Sequence, residues 1–266
     1  MRLPFRAALI TGASSGIGAA FARALPNETD LVLTGRDIQA LRELAASLSR
    51  IERKVTTVQA DLATDIGRRM VIEAAQRAEI DLLVNNAGLG MFGPAYRNAP
   101  EDERAMVEVN VLTPVVLTRA LLPGMIARAE RGISRAGVIM VSSISAFLPV
   151  PRLATYAATK SFNLHYAEAL GADVAGHPVD VVALCPGFTA TKIGARSGMK
   201  PWMFQGATSP DKVARKALRG LRRHRRLVLV GAGSRLAPLA ARLVPRRFLS
   251  NVVVAAMKWR KRRAEG

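Results

Sequence analysis

The chain alternates short apolar runs with longer stretches in which apolar positions recur every three or four residues. The runs are Ala7–Ile10, Leu31–Thr34, Val55–Gln59, Asp81–Val84, Val138–Ser142, Val179–Leu184 and Leu227–Val230. Each is apolar almost throughout rather than at every second residue, which is the pattern of parallel strands covered on both faces. The intervals hold helices, among them Arg36–Arg50, Thr64–Ala78 and Glu101–Arg128. This rhythm predicts an α/β fold with one doubly wound parallel sheet of about seven strands and helices on both faces. Two prolines interrupt the third of those helices. A kink is expected at Pro114 and a local break at Pro123-Gly124.

At 266 residues with 50% hydrophobic composition, the chain has the size and apolar content of one folded domain with a large core. Cys185 has no partner for a disulfide, which suits a reducing, cytoplasmic setting. Met1 to Arg6 lead straight into the first strand, so no signal peptide is expected. The longest late apolar run, Val252 to Met257, falls well short of the roughly 20 residues that span a bilayer, and no crossing segment is expected. His165, His177 and His224 are scattered without metal-ligand spacing, so no metal site is expected.

The formal charge of +19 is uneven. From Asp211 onward there are 17 Lys/Arg against two acids, giving +15, and the first 210 residues hold only 22 − 18 = +4. Either the arginines decorate solvated helix faces, or this segment meets an anionic surface.

The first strand runs into Thr11-Gly12-Ala13-Ser14-Ser15-Gly16-Ile17-Gly18. Glycines at a strand-to-helix turn permit a close backbone approach, and the helix N–H groups can then face a pyrophosphate. Such a turn alone is also an ordinary loop. Further along come Asn85-Asn86-Ala87-Gly88, Asn110, Ser143 and Tyr156-Ala-Ala-Thr-Lys160, with Ser143 thirteen residues before the tyrosine. Helical spacing puts Tyr156 and Lys160 one turn apart on the same face.

This ordered set resembles the short-chain dehydrogenase/reductase family, over roughly residues 5 to 230, and within it a bacterial subgroup like the ketoacyl and hydroxysteroid reductases. The resemblance implies a Rossmann-type catalytic domain over residues 1–230, with a substrate lid at 188–209, followed by a basic amphipathic extension at 231–266. It implies cofactor contacts from Gly12, Ser14, Ser15, Gly16, Ile17 and Gly18, from Asp61 and Leu62 at the adenine, and from Asn86, Ala87 and Gly88. Pro186, Gly187, Thr189 and Thr191 would orient the nicotinamide. At the end of the second strand, Gly35 stands where NAD-preferring members carry an acid and Arg36 follows, which favours NADP(H), with NAD(H) still open. Asp37 reads as the N-cap of the next helix. Ser15 stands where many NADPH-using relatives have a basic residue.

By the same resemblance, Tyr156 is the acid/base that exchanges a proton with the substrate oxygen. Lys160 lowers the tyrosine pKa and binds the nicotinamide ribose, Ser143 holds the carbonyl, and Asn110 anchors a water that leads protons to the lysine. A free tyrosine has a pKa of about 10, and a neighbouring ammonium favours the phenolate. Ser142 is the alternative to Ser143, and each residue also has a packing role available to it.

The reaction implied is hydride transfer between a ketone or aldehyde and an alcohol. The segment from Phe188 to Ser209 carries Ile193, Met199, Trp202, Met203 and Phe204, which suits a lid over a hydrophobic substrate or simply packing against the body. The family habit is a homodimer or homotetramer. Apolar and basic residues mix in the tail, which ends Lys258-Trp259-Arg260-Lys261-Arg262-Arg263. That composition suits peripheral contact with an anionic membrane through residues 212–266, or a cover for a partner subunit. It lacks a recognisable nucleic-acid module. A non-catalytic NADP-binding sensor or scaffold is the rival to an enzyme.

Overall fold

Seven parallel strands form one sheet in the order β3-β2-β1-β4-β5-β6-β7. They are β1 (Ala7–Thr11), β2 (Asp30–Gly35), β3 (Val55–Gln59), β4 (Leu82–Asn85), β5 (Ala136–Val141), β6 (Val179–Pro186) and β7 (Leu227–Val230). The chain steps outward from β1 to β3 and then returns to the other side of β1 with β4. Loops therefore diverge at the C-terminal ends of β1 and β4, where doubly wound sheets form their binding crevice. Every residue of β1, β4 and β5 is buried, which explains their unbroken apolar sequences. The computed structural model describes residues 5–191, 197–204, 206–231 and 234–265.

The helices are α1 (Gly16–Ala24), α2 (Ile38–Leu48), α3 (Asp65–Arg77), α4 (Pro100–Val107), α5 (Thr113–Glu130), α6 (Ala154–Asp173), α7 (Pro210–Arg222), α8 (Leu236–Leu243) and α9 (Arg246–Glu265). One core layer gathers Phe21, Leu41, Val213 and Leu218 against Ile10, Leu33 and Val84. The other gathers Val71, Leu117, Met125 and Leu164 against Leu9, Leu83 and Val138. Asp37 caps α2, its carboxylate accepting from the Ala40 N–H at 3.0 Å. Thr64 caps α3 by accepting from the Gly67 N–H at 3.0 Å.

The long helical stretch from Pro100 differs from the sequence expectation at both prolines. Before Pro114 the helix loosens into a π turn, Glu108–Leu112, between α4 and α5. Pro114 has no N–H to offer the Asn110 carbonyl four residues back, so the α ladder is broken there. No break occurs at Pro123-Gly124, and α5 runs through it. Pro123 lies on the exposed face with Arg119, so water can take up the carbonyl that loses its donor. The stretch Pro100–Glu130 has a mean hydropathy of 1.5 over its most apolar part and is long enough to cross a membrane. Half of that part is buried inside this fold.

The last 31 described residues form two helices instead of a loose tail. Val244-Pro245 separates α8 from α9. α8 packs on the 3₁₀ turn Ile144–Phe147, and α9 packs on the 3₁₀ turn Pro201–Phe204. Both turns belong to loops at the C-terminal edge of the sheet.

Candidate active site

The glycine turn is stitched to the end of β4. Thr11 Oγ1 accepts from the N–H groups of Asn86 and Ala87, both at 2.9 Å, and Asn86 Nδ2 donates to the Thr11 carbonyl at 2.7 Å. Gly12 has φ +63°, and a Cβ there would come within 3.0 Å of the Ala87 Cα. A Cβ on Gly18 would stand 2.3 Å from the Gly12 carbonyl oxygen, so any side chain would push α1 away from the turn. Ser15 is the N-cap of α1, yet its side chain makes no capping bond. First-turn N–H groups of α1 thus have no capping side chain from Ser15 and face the crevice end of the sheet, which is the geometry that suits a pyrophosphate. Thr191 closes over the same turn, with its Cγ2 2.9 Å from where a Gly16 Cβ would be.

At the end of β2, Ser14 Oγ lies 3.2 Å from the Cβ position of Gly35, and Arg36 is exposed beside it. Asp61 turns its carboxylate back onto the Ala63 N–H at 3.0 Å, and the Leu62 carbonyl accepts from Thr113 Oγ1 at 2.7 Å. Pro186 ends β6, the Gly187 N–H donates to the Val230 carbonyl at 2.7 Å, and Thr189 Oγ1 donates to the Gly187 carbonyl at 3.0 Å. Ile17 packs against the core beside the turn.

Across the crevice, β5 delivers two serines with different tasks. Ser142 is buried and donates from Oγ to the Lys160 carbonyl at 2.6 Å, pinning α6 to the sheet. Ser143 caps the turn Ile144–Phe147, accepting from the Ser145 N–H at 3.2 Å, and hydrogen-bonds the Tyr156 hydroxyl. Of the two candidates, Ser143 is the one that faces the tyrosine. Lys160 is 4% exposed. Its Nζ donates to the Val141 carbonyl at 2.9 Å and lies 5.8 Å from the centre of the Tyr156 ring.

Asn110 sits fully buried in the π turn. Its amide pairs with both main-chain groups of Leu89, donating to the carbonyl at 2.9 Å and accepting from the N–H at 2.8 Å, and it also donates to Thr159 Oγ1 at 3.0 Å. Its side chain is therefore a clamp between β4's loop and α6. A Cβ on Gly88 would lie 3.3 Å from Lys160 Nζ and 3.4 Å from Asn110 Oδ1, so these groups converge behind that glycine.

The electrostatics differ from the sequence expectation in one respect. Burial raises the Tyr156 pKa above its ordinary value, and the Ser143 hydrogen bond pulls it the other way. Burial also lowers Lys160 to about 8. In the protein alone, desolvation therefore outweighs the lowering of Tyr156 expected from the ammonium.

The family model described as short chain dehydrogenase matches residues 6–201. The chain belongs to that family. It is 31% identical over 274 residues to "Dehydrogenase/reductase SDR family member 7B" of Bos taurus, covering 95% of this chain and 82% of the relative. It is 38% identical over 218 residues to "1-deoxy-11-beta-hydroxypentalenate dehydrogenase" of Streptomyces exfoliatus, covering 79% and 73% respectively. Among solved structures, a short-chain dehydrogenase from Sphingobium yanoikuyae in complex with NADPH superposes with a TM-score of 0.75 at 29% identity, covering 90% of this chain and 94% of the other. A family member from Burkholderia phymatum in complex with NAD superposes with a TM-score of 0.78 at 26% identity, over 91% and 94%. The protein is a Rossmann-type oxidoreductase of this family.

Several residues of this short-chain dehydrogenase escaped sequence reasoning. Thr11 and Thr159 stand inside the two quoted motifs, but neither was given a role there, and both organise the site. Thr159 donates to the Tyr156 carbonyl at 2.8 Å while receiving from Asn110. Arg68 is buried and pairs with Asp65 and Glu108, fastening α3 to the π turn. Its only sequence signal is an acid three residues earlier. Ser145 Oγ is buried beside Ser143 with no hydrogen-bond partner among the described residues. The histidines take ordinary partners: Ser161 for His165, Glu130 for His177 and Asp180 for His224. Ile193 lies outside the described residues. A separate cavity of about 560 Å³, with Arg6, Glu28, Asp30, Glu52 and Glu79 in its lining, opens at the opposite, N-terminal ends of the strands.

Proposed function

We propose that the protein is an NADP(H)-dependent reductase/dehydrogenase that interconverts a ketone or aldehyde and an alcohol on a hydrophobic substrate. The observation that carries this reading is the Tyr156 hydroxyl bonded to Ser143, one helical turn from Lys160, beside a glycine turn shaped for a dinucleotide. When bound, the cofactor supplies or takes the hydride. Ser143 holds the carbonyl oxygen toward Tyr156, and Tyr156 gives that oxygen its proton as negative charge develops. Lys160 binds the ribose and supports the phenolate. Asn110 anchors the water that reconnects Lys160 to solvent. Its main-chain carbonyl, which Pro114 leaves without an α-helical donor, is the group suited to that task.

Arg36, exposed next to Gly35 and Ser14, supports a 2′-phosphate, while Asp37 is engaged in capping α2. NAD(H) remains the secondary cofactor. A hydrophobic substrate is supported by the segment 188–209, which serves as a lid. Phe188 and Phe204 meet edge to face at 5.9 Å, and Met203 in the same segment is buried. The catalytic domain spans 1–230 and the extension 231–266, in a protein of the ketoacyl/hydroxysteroid reductase type. Exposed Val107 and Leu112 near the π turn and Phe162 on α6 support a homodimer or homotetramer.

The protein is cytoplasmic and touches an anionic membrane peripherally through residues 212–266. Leu236, Leu239 and Leu243 recur at helical spacing on α8 and are exposed, as are Phe248, Val252 and Trp259 on α9, among a large excess of arginine and lysine. The test of the catalytic reading is oxidation of NADPH and NADH by the purified protein against 3-oxoacyl thioesters, steroid ketones and aliphatic or aromatic aldehydes. NADPH-dependent turnover on one class supports it. Cofactor binding without turnover on any class favours the sensor role.

A further inference from the structure

Among the described residues, three that are not glycine have positive φ: Glu79 (+47°), Arg152 (+69°) and His224 (+53°). Glu79 and His224 each follow the C-cap of a helix, α3 and α7, where the left-handed conformation is an ordinary way to stop. Arg152 does not. It follows Pro151 and precedes α6, the helix that carries Tyr156 and Lys160. A long side chain in that conformation costs free energy that glycine would avoid, and such outliers gather at binding sites.

The surroundings hold Arg152 in place from two sides. Its carbonyl accepts from the Gly93 N–H at 2.9 Å, and its guanidinium lies 4.9 Å over the Phe92 ring. Phe92 in turn donates its N–H to the Ser197 carbonyl at 2.8 Å. Ser197 Oγ and the Tyr156 ring stand 3.2 and 3.3 Å from where a Gly90 Cβ would be. Gly90, Phe92, Arg152 and Ser197 thus form one continuous wall leading to Tyr156.

Charge points the same way. Arg23, Arg68 and Arg135 each pair with a carboxylate, but no ion pair is made by Arg152 among the described residues. None could form within the loops around it, because residues 86–100, 143–155 and 187–209 contain no Asp or Glu at all. A cleft mouth with cations and no acids draws in anions. A guanidinium stacked on an aromatic ring keeps its in-plane N–H edge free for a two-pronged bond to a carboxylate or phosphate.

We propose that Arg152 binds an anionic group of the substrate, carboxylate or phosphate, so that the natural substrate is a carbonyl or alcohol amphiphile with a charged group as well as an apolar body. This rests on the reductase reading above and names the substrate class of that site. The test compares medium-chain keto acids, their methyl esters and the matching keto-alkyl phosphate monoesters, using the full chain with NADPH. In the wild type, kcat/KM for an anionic substrate exceeds that for the ester by about 10–100-fold, mostly through KM. Comparing the acid and phosphate arms shows which anion is native. In Arg152→Gly, where the backbone conformation is freed, the anion-to-ester ratio falls to near 1, while Arg152→Lys keeps part of it. Raising salt shrinks the ratio in the wild type only.

Calorimetric binding of the same compounds to the NADPH-loaded protein separates the two readings. Anion-selective binding that vanishes in Arg152→Gly, without turnover by any protein, would sink the reductase reading and leave the anion site standing. Equal treatment of acid, phosphate and ester by the wild type overturns the inference, as does an anion preference that survives in Arg152→Gly.

Discussion

Asn110 and Lys160 are polar side chains left 0% and 4% exposed, whereas Leu236, Leu243 and Trp259 are apolar side chains left 65%, 69% and 59% exposed. The first pair lies in the crevice at the C-terminal ends of the strands, and the second group lies on α8 and α9. Both invert the ordinary partition of a soluble fold. In the crevice, both of these buried polar side chains have partners within the chain: Leu89 and Thr159 for Asn110, and the Val141 carbonyl for Lys160. On the last two helices Leu236, Leu243 and Trp259 stay exposed, and the proposed anionic surface is the partner offered for them. The inward exceptions are explained by the fold, whereas the outward ones are assigned to the surroundings only by the proposal above.

The sharpest way to break the comparison is at Lys160. Lys160→Met is expected to cut kcat/KM by at least about 100-fold while raising stability at neutral pH. Burial holds the ammonium pKa at about 8, and an unfolded lysine titrates near ~10.4. Between those values the unfolded chain binds the extra proton, so wild-type stability rises with pH across that window. Below it, the full burial penalty is present. Removing the charge relieves on the order of 3 kcal/mol, less about 1 kcal/mol for the Val141 carbonyl left without its donor. Melting curves of both proteins from about pH 6 to about pH 10 should show the variant more stable at the low end, with the gap closing above the lysine pKa. A variant that is less stable throughout would mean that Lys160 holds the fold together.

Arg36→Ala tests the exposed cation on the cofactor side. It is expected to raise KM for NADPH about 10–100-fold and leave KM for NADH within about two-fold, since only the 2′-phosphate distinguishes the two. Equal effects on both nucleotides would detach Arg36 from that phosphate.

The smallest effect belongs to the tail. Replacing Leu239 and Leu243 together by Glu is expected to weaken co-sedimentation with phosphatidylglycerol vesicles about 10-fold, with neutral phosphatidylcholine vesicles binding poorly to either protein. Unchanged vesicle binding together with a lost dimer would assign this face to a second subunit instead.

How much of this was legible in the sequence follows the same division. The central strands β1, β4 and β5 were readable because burial on both faces forces an unbroken apolar run, whereas the edge strands β3 and β7, only partly buried, were readable from their β-branched and apolar residues. β5 begins two residues earlier than its pattern suggested, because Ala136 and Gly137 are small residues that give little hydrophobic signal. The Asp37 cap was readable because capping is local chemistry. Gly12, Asn86, Ser143, Tyr156 and Lys160 were readable as a set, and they do converge on one crevice. The π turn was only half readable. Pro114 announced a disturbance, but its form depends on Asn110 reaching Leu89 across 21 residues. Pro123 misled because its cost depends on which face of α5 meets water. The opposing pulls on Tyr156 were out of reach, since desolvation depends on everything packed around the ring. The tail announced its amphipathic character but not that α8 and α9 would fold back onto the two turns beside the cleft.

The central claim is that Tyr156 delivers the proton, and it is tested most directly by Tyr156→Phe. NADPH binding, followed by its fluorescence, should stay within a few-fold of wild type, while single-turnover reduction of the best carbonyl substrate falls about 10³–10⁴-fold. Reduction that persists within about ten-fold of wild type, with the cofactor bound as before, would contradict the account and move the proton donor elsewhere in the crevice.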